Sequence, residues 1–334
     1  MKAKFFVNVD RGIHYCACNI IRFLHDFNPP LPLLLQANAT ISAPDFGTGS
    51  TVSTLTLGGA FSGSASLTFS SDSTVANNSQ QTILLNAPSS YMGGTTFHSV
   101  GNGANLIIKP GVADALPKTT VLSLNGVAGG GSGRFSRLEL NGHNQTLSGL
   151  QNTPVSLRTH QINNSSATPA TLTVSNSASY TYSGTLDDNI ALTKSGSGTL
   201  TLSGVNSYTN DTTITRGILA IGGTARLGDG NYAGDISIAS GAVLLFNSSA
   251  NTTSSGPISD NGSFSNAGSG TVTLTGTSTL LGTTLNDGMV ARVTSDNGAG
   301  TTSLYLGQGS SLSYRGNSVA ATGGTNMQAE HGRC

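Results

Sequence analysis

The feature that most constrains this chain is a short-range alternation of polar and apolar residues, broken every few positions by Gly, Asn, Asp or Ser. It is clearest between Leu192 and Gly217. Thr199-Leu-Thr-Leu-Ser203 alternates with a period of two, which places Leu200 and Leu202 on one face of a half-buried strand. Gly198 and Gly204 bracket it, at turns where a Cβ is disfavoured. Val205-Asn-Ser207 reads as a turn, with Asn206 suited to the left-handed region. Thr212-Thr-Ile-Thr215 and Ile218-Leu-Ala-Ile221 predict two more strands, stopped by Gly217 and by Gly222-Gly223. No window of this stretch has helical spacing over two or more turns. The expected class is therefore all-β.

The same design recurs. Shifting Gly198 onto Gly270 aligns Ser197-Gly-Thr-Leu-Thr-Leu-Ser-Gly204 with Ser269-Gly-Thr-Val-Thr-Leu-Thr-Gly276. One residue is then lost, so Thr212-Thr-Ile214 matches Thr283-Thr-Leu285, and Gly217 matches Gly288. A weaker copy runs from Ile83 to Phe97, where Tyr91 matches Tyr208 and Thr95-Thr-Phe97 matches Thr212-Thr-Ile214. The clearest copies are thus 83–97, 192–217 and 264–288. Irregularly spaced copies of a short-strand unit point to a solenoid rather than a closed domain.

Leu192-Thr-Lys-Ser-Gly-Ser-Gly-Thr-Leu-Thr-Leu-Ser-Gly204, followed by Asn206, Tyr208 and Thr212-Thr213, resembles the autotransporter-associated β-strand repeat, also called the passenger-associated transport repeat. Two neighbours resemble stretches common in such proteins: Leu138–Leu150, and Ala170–Val174 leading into Tyr182–Leu186. The resemblance implies a right-handed parallel β-helix (solenoid) of short strands with Gly/Asn/Ser-rich turns. It also implies a secreted or surface-displayed protein of a Gram-negative-type bacterium, exported through an outer-membrane translocator barrel. Asn210-Asp211 departs from the paired glycines usual in the family, whereas the weaker copy has them as Gly93-Gly94.

Composition fits such a molecule. Of 334 residues only 9% are charged, with 15 Lys+Arg against 15 Asp+Glu, far below the roughly 25% of ordinary soluble domains. Zero net charge removes the electrostatic case for nucleic-acid or anionic-membrane binding. The alternation argues against disorder, because Leu, Ile and Val recur at every second position between turns. With coils of somewhat over 20 residues, positions 40–315 would make roughly a dozen coils.

Three regions follow. Residues 1–39 hold Cys16, Cys18, His14 and His25 and fall outside the pattern. They read as an export-signal-like or mis-assigned segment, with Met1–Val7 as a signal-like start and Ala37-Asn-Ala39 as an acceptable cleavage site. Residues 40–316 are the β-helix repeat domain. Within it Ala113–Leu116 could form one helical turn before Pro117 ends it. Residues 317–334 lose the alternation and are expected to be disordered. A translocator barrel would show many alternating segments of about ten residues with aromatic girdles. With 6% aromatics and no such array, these residues do not read as a barrel, and two expectations stand: a passenger fragment whose barrel is a separate C-terminal part, or a protein exported another way.

The search for chemistry produces little. Asp187-Asp188 is the one adjacent carboxylate pair weighed for catalysis or calcium, and it reads as a solvated turn. Asp229 and Asp235 flank Tyr232 in a loop that could protrude. Glu occurs only at 139 and 330, which weakens the case for a β-helix glycosidase built on paired carboxylates. His14-x-Cys16-x-Cys18 with His25 lacks zinc-site spacing. Gly129-Gly-Gly-Ser-Gly133 lacks the Lys-Ser/Thr of a phosphate loop. His143 reads as a turn residue. Tyr180, Tyr182, Tyr208, Tyr232, Tyr305 and Tyr314 could form a glycan-binding stripe, but read better as packing residues. No catalytic, cofactor-binding or metal-binding residue is assigned. The expected function is a structural, adhesin-like passenger whose repeats assist secretion and folding outside the cell, with a surface glycan or protein as possible ligand. The alternative is a carbohydrate-active β-helix enzyme, a polysaccharide lyase or glycoside hydrolase.

Overall fold

The computed structural model describes residues 32–42, 52–71, 80–99, 105–126, 134–153 and 158–276, with short backbone strands in the segments before and after them. The Gly129–Gly133 loop lies outside the described residues, as do the side chains of His14, Cys16, Cys18 and His25. The chain divides into two compact units, one of residues 1–172 with 183–185 and one of residues 173–182 with 186–334.

In the first unit two parallel ladders dominate. One joins Val52–Leu57, Gln80–Leu85, Asn105–Pro110, Arg134–Glu139 and Arg158–Asn164 in that order. The other joins Ala39–Ser42, Leu67–Ser70, Thr95–Ser99, Val121–Gly126 and Gly149–Asn152. Strands of the two ladders alternate along the chain. Each strand pairs with its counterpart one circuit later: Leu55 beside Ile83, Ile83 beside Ile108, Ile108 beside Leu138, Leu138 beside Ile162. Parallel neighbours cannot be joined by tight hairpins, so the chain must wind.

The second unit winds in the same way with shorter circuits. Ile190–Ser195, Thr212–Ile214, Ile236–Ile238 and Ile258–Asp260 form one ladder. Tyr180–Tyr182, Thr199–Leu202, Ile218–Gly223, Val243–Ser248 and Ser263–Asn266 form a second, and Asn231–Tyr232, Thr252–Ser254 and Val272–Leu274 a third. Leu202 lies beside Ile221 and Ser254 beside Leu274. The fold is a parallel β-helix, the form that the family resemblance implied, and it is the all-β solenoid that the alternation and the repeats predicted.

The reason is visible in the columns. Leu55, Ile83, Ile108, Leu138 and Ile162 are all fully buried and stacked rung on rung. Leu200, Leu219, Leu244 and Phe264 do the same in the second unit. Aromatic rungs meet edge to face, Phe69 on Phe97 at 5.9 Å and Phe246 on Phe264 at 5.7 Å between ring centres, the arrangement the ring quadrupole favours. Each buried Leu, Ile or Phe contributes roughly 1.5–3 kcal/mol, so stability accumulates by the rung.

One expectation changes. Ala113–Leu116 is not a helical turn. It is irregular chain in which Ala115 and Leu116 point inward, and the Gln145 side chain clamps the Leu116 N–H and C=O at 3.1 and 3.0 Å. Leu33–Leu35 pairs with Phe61–Gly63 in a separate small sheet, and Met327–Ala329 pairs with Ser311–Tyr314. The helical content among the described residues is one 3-10 turn, Gly228–Gly230, and no helix there is long and apolar enough to cross a membrane.

Candidate functional site

The carboxylates weighed from sequence do local structural work. The Asp187 side chain accepts a 2.8 Å hydrogen bond from the Ser207 hydroxyl, one circuit on. Asp188 turns the chain in the left-handed region, φ 68°. Asp229 lies in the 3-10 turn, and Asp235 is exposed with its N–H held by the Asp211 carboxylate at 2.9 Å. His143 sits in a turn, its N–H bonded to the Leu140 carbonyl. Among the described residues no three His, Cys, Asp or Glu come together as a metal site would need.

Among the described residues the tyrosines do not form a surface stripe. Tyr182, Tyr208 and Tyr232 are wholly buried, as is Tyr91, while the Tyr305 and Tyr314 side chains lie outside the described residues. Tyr91 and Tyr208, equated by the repeat, share one geometry: each hydroxyl meets the threonine four residues on, Thr95 or Thr212. Thr212 then reaches the Tyr232 hydroxyl at 2.8 Å, and Tyr232 donates to the Asn210 carbonyl. Tyr208 and Tyr232 also stack edge to face at 5.4 Å. Burial pushes the Tyr208 phenol up to about 12 and raises Tyr91, Tyr182 and Tyr232 further.

A second buried polar set was missed at the level of sequence, although its signal is there. Several inward columns end in a polar residue two places beyond the last apolar one: Ile162 then Asn164, Val174 then Asn176, Leu192 then Lys194, Phe246 then Ser248. All four polar residues are buried. Each plugs a corner where the chain turns between ladders and carbonyls would otherwise face the core unpaired. Asn176 donates to the Ala178 and Thr199 carbonyls at 2.6 and 3.0 Å. Lys194 Nζ donates to the carbonyls of Ser195, Gly196 and, one circuit on, Arg216, at 2.8, 2.9 and 3.1 Å. Burial brings this lysine down to about 8.

Asn206 corrects a sequence expectation. It is not a left-handed turn residue but a buried bridge, accepting from the Leu186 N–H at 3.1 Å and donating to the Gly204 carbonyl at 2.8 Å. At Asn210-Asp211 side chains replace the absent glycines: Asn210 donates to Asn189 one circuit away at 2.7 Å. Gly198 serves close approach rather than special dihedrals, since a Cβ there would lie 2.1 Å from the Ala178 carbonyl oxygen.

A groove of about 570 Å³ lies on the outside of the first unit. It crosses the outer face of the long ladder and is lined by Thr54, Gln80, Thr82, Lys109, Arg137 and Glu139. Asn141 and Ser165 add one wall. The Glu139 carboxylate holds that wall in place, one oxygen accepting the N–H groups of Asn141 and Ser165 at 3.3 and 2.9 Å. Arg137 lies over the Phe135 ring at 4.2 Å and directs Nε and Nη2 at the Gln161 side-chain oxygen.

Comparison with known proteins gives one match: residues 192–221 match the passenger-associated-transport-repeat family. No curated protein and no solved structure matches the chain. The matched segment spans one full circuit and the strand that follows. It runs from Ile190–Ser195 through Thr199–Leu202 and Thr212–Ile214 to Ile218–Gly223, and it contains Lys194, Asn206, Tyr208 and Thr212.

Proposed function

We propose that the chain is a passenger-type β-helix, displayed outside a Gram-negative-type cell, that acts as a structural, adhesin-like passenger rather than as an enzyme and needs no cofactor. The observation that carries this reading is the match at 192–221 to a transport-associated repeat, lying on a self-contained circuit. That circuit takes its hydrogen bonds from the rungs directly above and below: Leu192 N–H to the Asp211 carbonyl, Ile218 N–H to the Gly198 carbonyl, Thr212 N–H to the Asp235 carbonyl. A chain emerging through a narrow translocator can therefore fold one circuit at a time, each on the last. Low charge and a Thr/Ser/Asn surface suit a β-helix exposed to the medium.

The partner in this reading is an outer-membrane translocator barrel. The test places residues 40–316 between a signal peptide and such a barrel in a Gram-negative host and asks whether protease added to intact cells removes them. Surface cleavage with export comparable to a known passenger is expected. Retention inside the envelope, while an unrelated passenger passes through the same barrel, would refute the proposal.

A further inference from the structure

We infer that the groove on the outer ladder of the first unit binds a uronic-acid-bearing oligosaccharide, holding its carboxylates with Lys109 and Arg137. This goes beyond the structural passenger role and does not depend on it.

The first support is charge. In a chain with 9% charged residues, three of them line one groove. The single acid, Glu139, has an oxygen committed to the backbone N–H groups of Asn141 and Ser165. The two cations are differently placed. The Lys109 ammonium has no hydrogen-bond or ion-pair partner among the described residues. Arg137 is fixed by Gln161 and Phe135, which leaves Nη1 without a hydrogen bond among them. A guanidinium held flat on a ring with free N–H groups is preorganised for a carboxylate.

The second support is spacing. Ile107 lies directly beside Arg137, so Lys109 is on the adjacent rung but two residues further along it, level with Glu139 and on a diagonal of roughly 8 Å from Arg137. The groove runs over four rungs, from Thr54 through Thr82 and Lys109 to Arg137. That is roughly 14 Å, the reach of a short oligosaccharide.

The third support is the lining. Thr54, Thr82, Gln80, Asn141 and Ser165 offer hydroxyls and amides to a ligand rich in hydroxyls. Leu84 and Ile107, half-buried in the same groove, give the C–H face of a sugar ring something to rest on. An extended peptide fits less well. The groove lies over the middle of a ladder whose strands are paired on both sides, so no strand edge is open for an added strand.

The experiment uses the whole chain and calorimetric titration with the trimers of galacturonate, guluronate and hyaluronan-type uronate, each beside its methyl ester. Saturable binding of at least one acid trimer is expected, about tenfold weaker for its neutral ester and about tenfold weaker for Lys109→Gln, with affinity falling as salt rises. Lys109 is half-exposed and unpartnered, so this variant should fold. Arg137→Gln, checked for β-type circular dichroism, should lose as much or more. No binding of any acid trimer overturns the inference. So does equal binding of acid and ester, or binding unchanged in Lys109→Gln. If inorganic sulfate displaces the trimer at the trimer's own concentration, the groove is a simple anion site and the glycan assignment fails.

Discussion

Lys194 carries a charge to a position that alternation reserves for the core. In Ile190-Ala-Leu-Thr-Lys194 the period of two turns the lysine inward behind Ile190 and Leu192, and all three are fully buried. Its ammonium replaces water with three carbonyls, and burial lowers its pKa from 10.5 to about 8. The unfolded chain keeps the higher value. Below about pH 8 both states bind the proton, and between pH 8 and 10.5 the unfolded state binds it more. Stability must therefore rise with pH across that window, on the order of 2 kcal/mol between pH 7 and 10 from this group. The buried tyrosines act in the opposite sense. Their folded pKa values are raised, so their contribution is complete below about pH 10 and is lost above it. Denaturant midpoints should climb from pH 7 to nearly 10 and then fall. Lys194→Met should flatten the climb and keep the fall. An unchanged climb in the variant would show that the lysine is not its source.

At the scale of the element, the corner decides how closely two circuits can stack. Gly198 would bring a Cβ to 2.1 Å from the Ala178 carbonyl oxygen, and Gly217, at φ 71°, would bring one to 2.4 Å from the Gly196 oxygen. These contacts are to backbone, which has no rotamer to yield. Gly198→Ala should cost about 1–3 kcal/mol or more, whereas Ser197→Ala, at an exposed site on the same corner, should stay within about 0.5 kcal/mol. Chemical denaturation of the two variants side by side checks this, and equal midpoints would remove the corner argument. The strands were legible because a period of two needs only four or five residues to show. The same period, carried through Ile190 and Leu192, turns Lys194 inward. The corners were not, because Gly198 looks alike whether it supplies a dihedral or a close approach. The groove was hidden more deeply. Thr54, Thr82, Lys109 and Arg137 share a face only after circuits of unequal length are stacked, Leu55 on Ile83, Ile83 on Ile108, Ile108 on Leu138. No fixed spacing in the sequence reports that.

Unequal circuits also explain why the repeat recurs at irregular intervals. Thr199–Leu202 pairs with Tyr180–Tyr182, but its sequence counterpart Val272–Leu274 pairs with Thr252–Ser254, a strand of a different ladder. The repeat therefore specifies a strand–corner–strand unit that fits more than one face of the coil, not a whole circuit. A coil built this way should tolerate loss of a circuit and fail on loss of part of one. Deleting Thr199–Gly217 joins Gly198 to Ile218. Ile218 already stands beside Thr199, and Ile236 beside Thr212, so both ladders close in register with one rung fewer. Deleting Thr199–Tyr208 removes a strand from one ladder and leaves its partner in the other, so the columns through Leu200 and Ile214 lose alignment. The first variant should keep a β-type circular dichroism spectrum and a cooperative melt, with the Tyr208–Thr212–Tyr232 hydroxyl chain lost. The second should melt without cooperativity or fail to fold. If both deletions behave alike, the circuits are not independent units, and the stepwise folding on which the export proposal depends loses its physical basis.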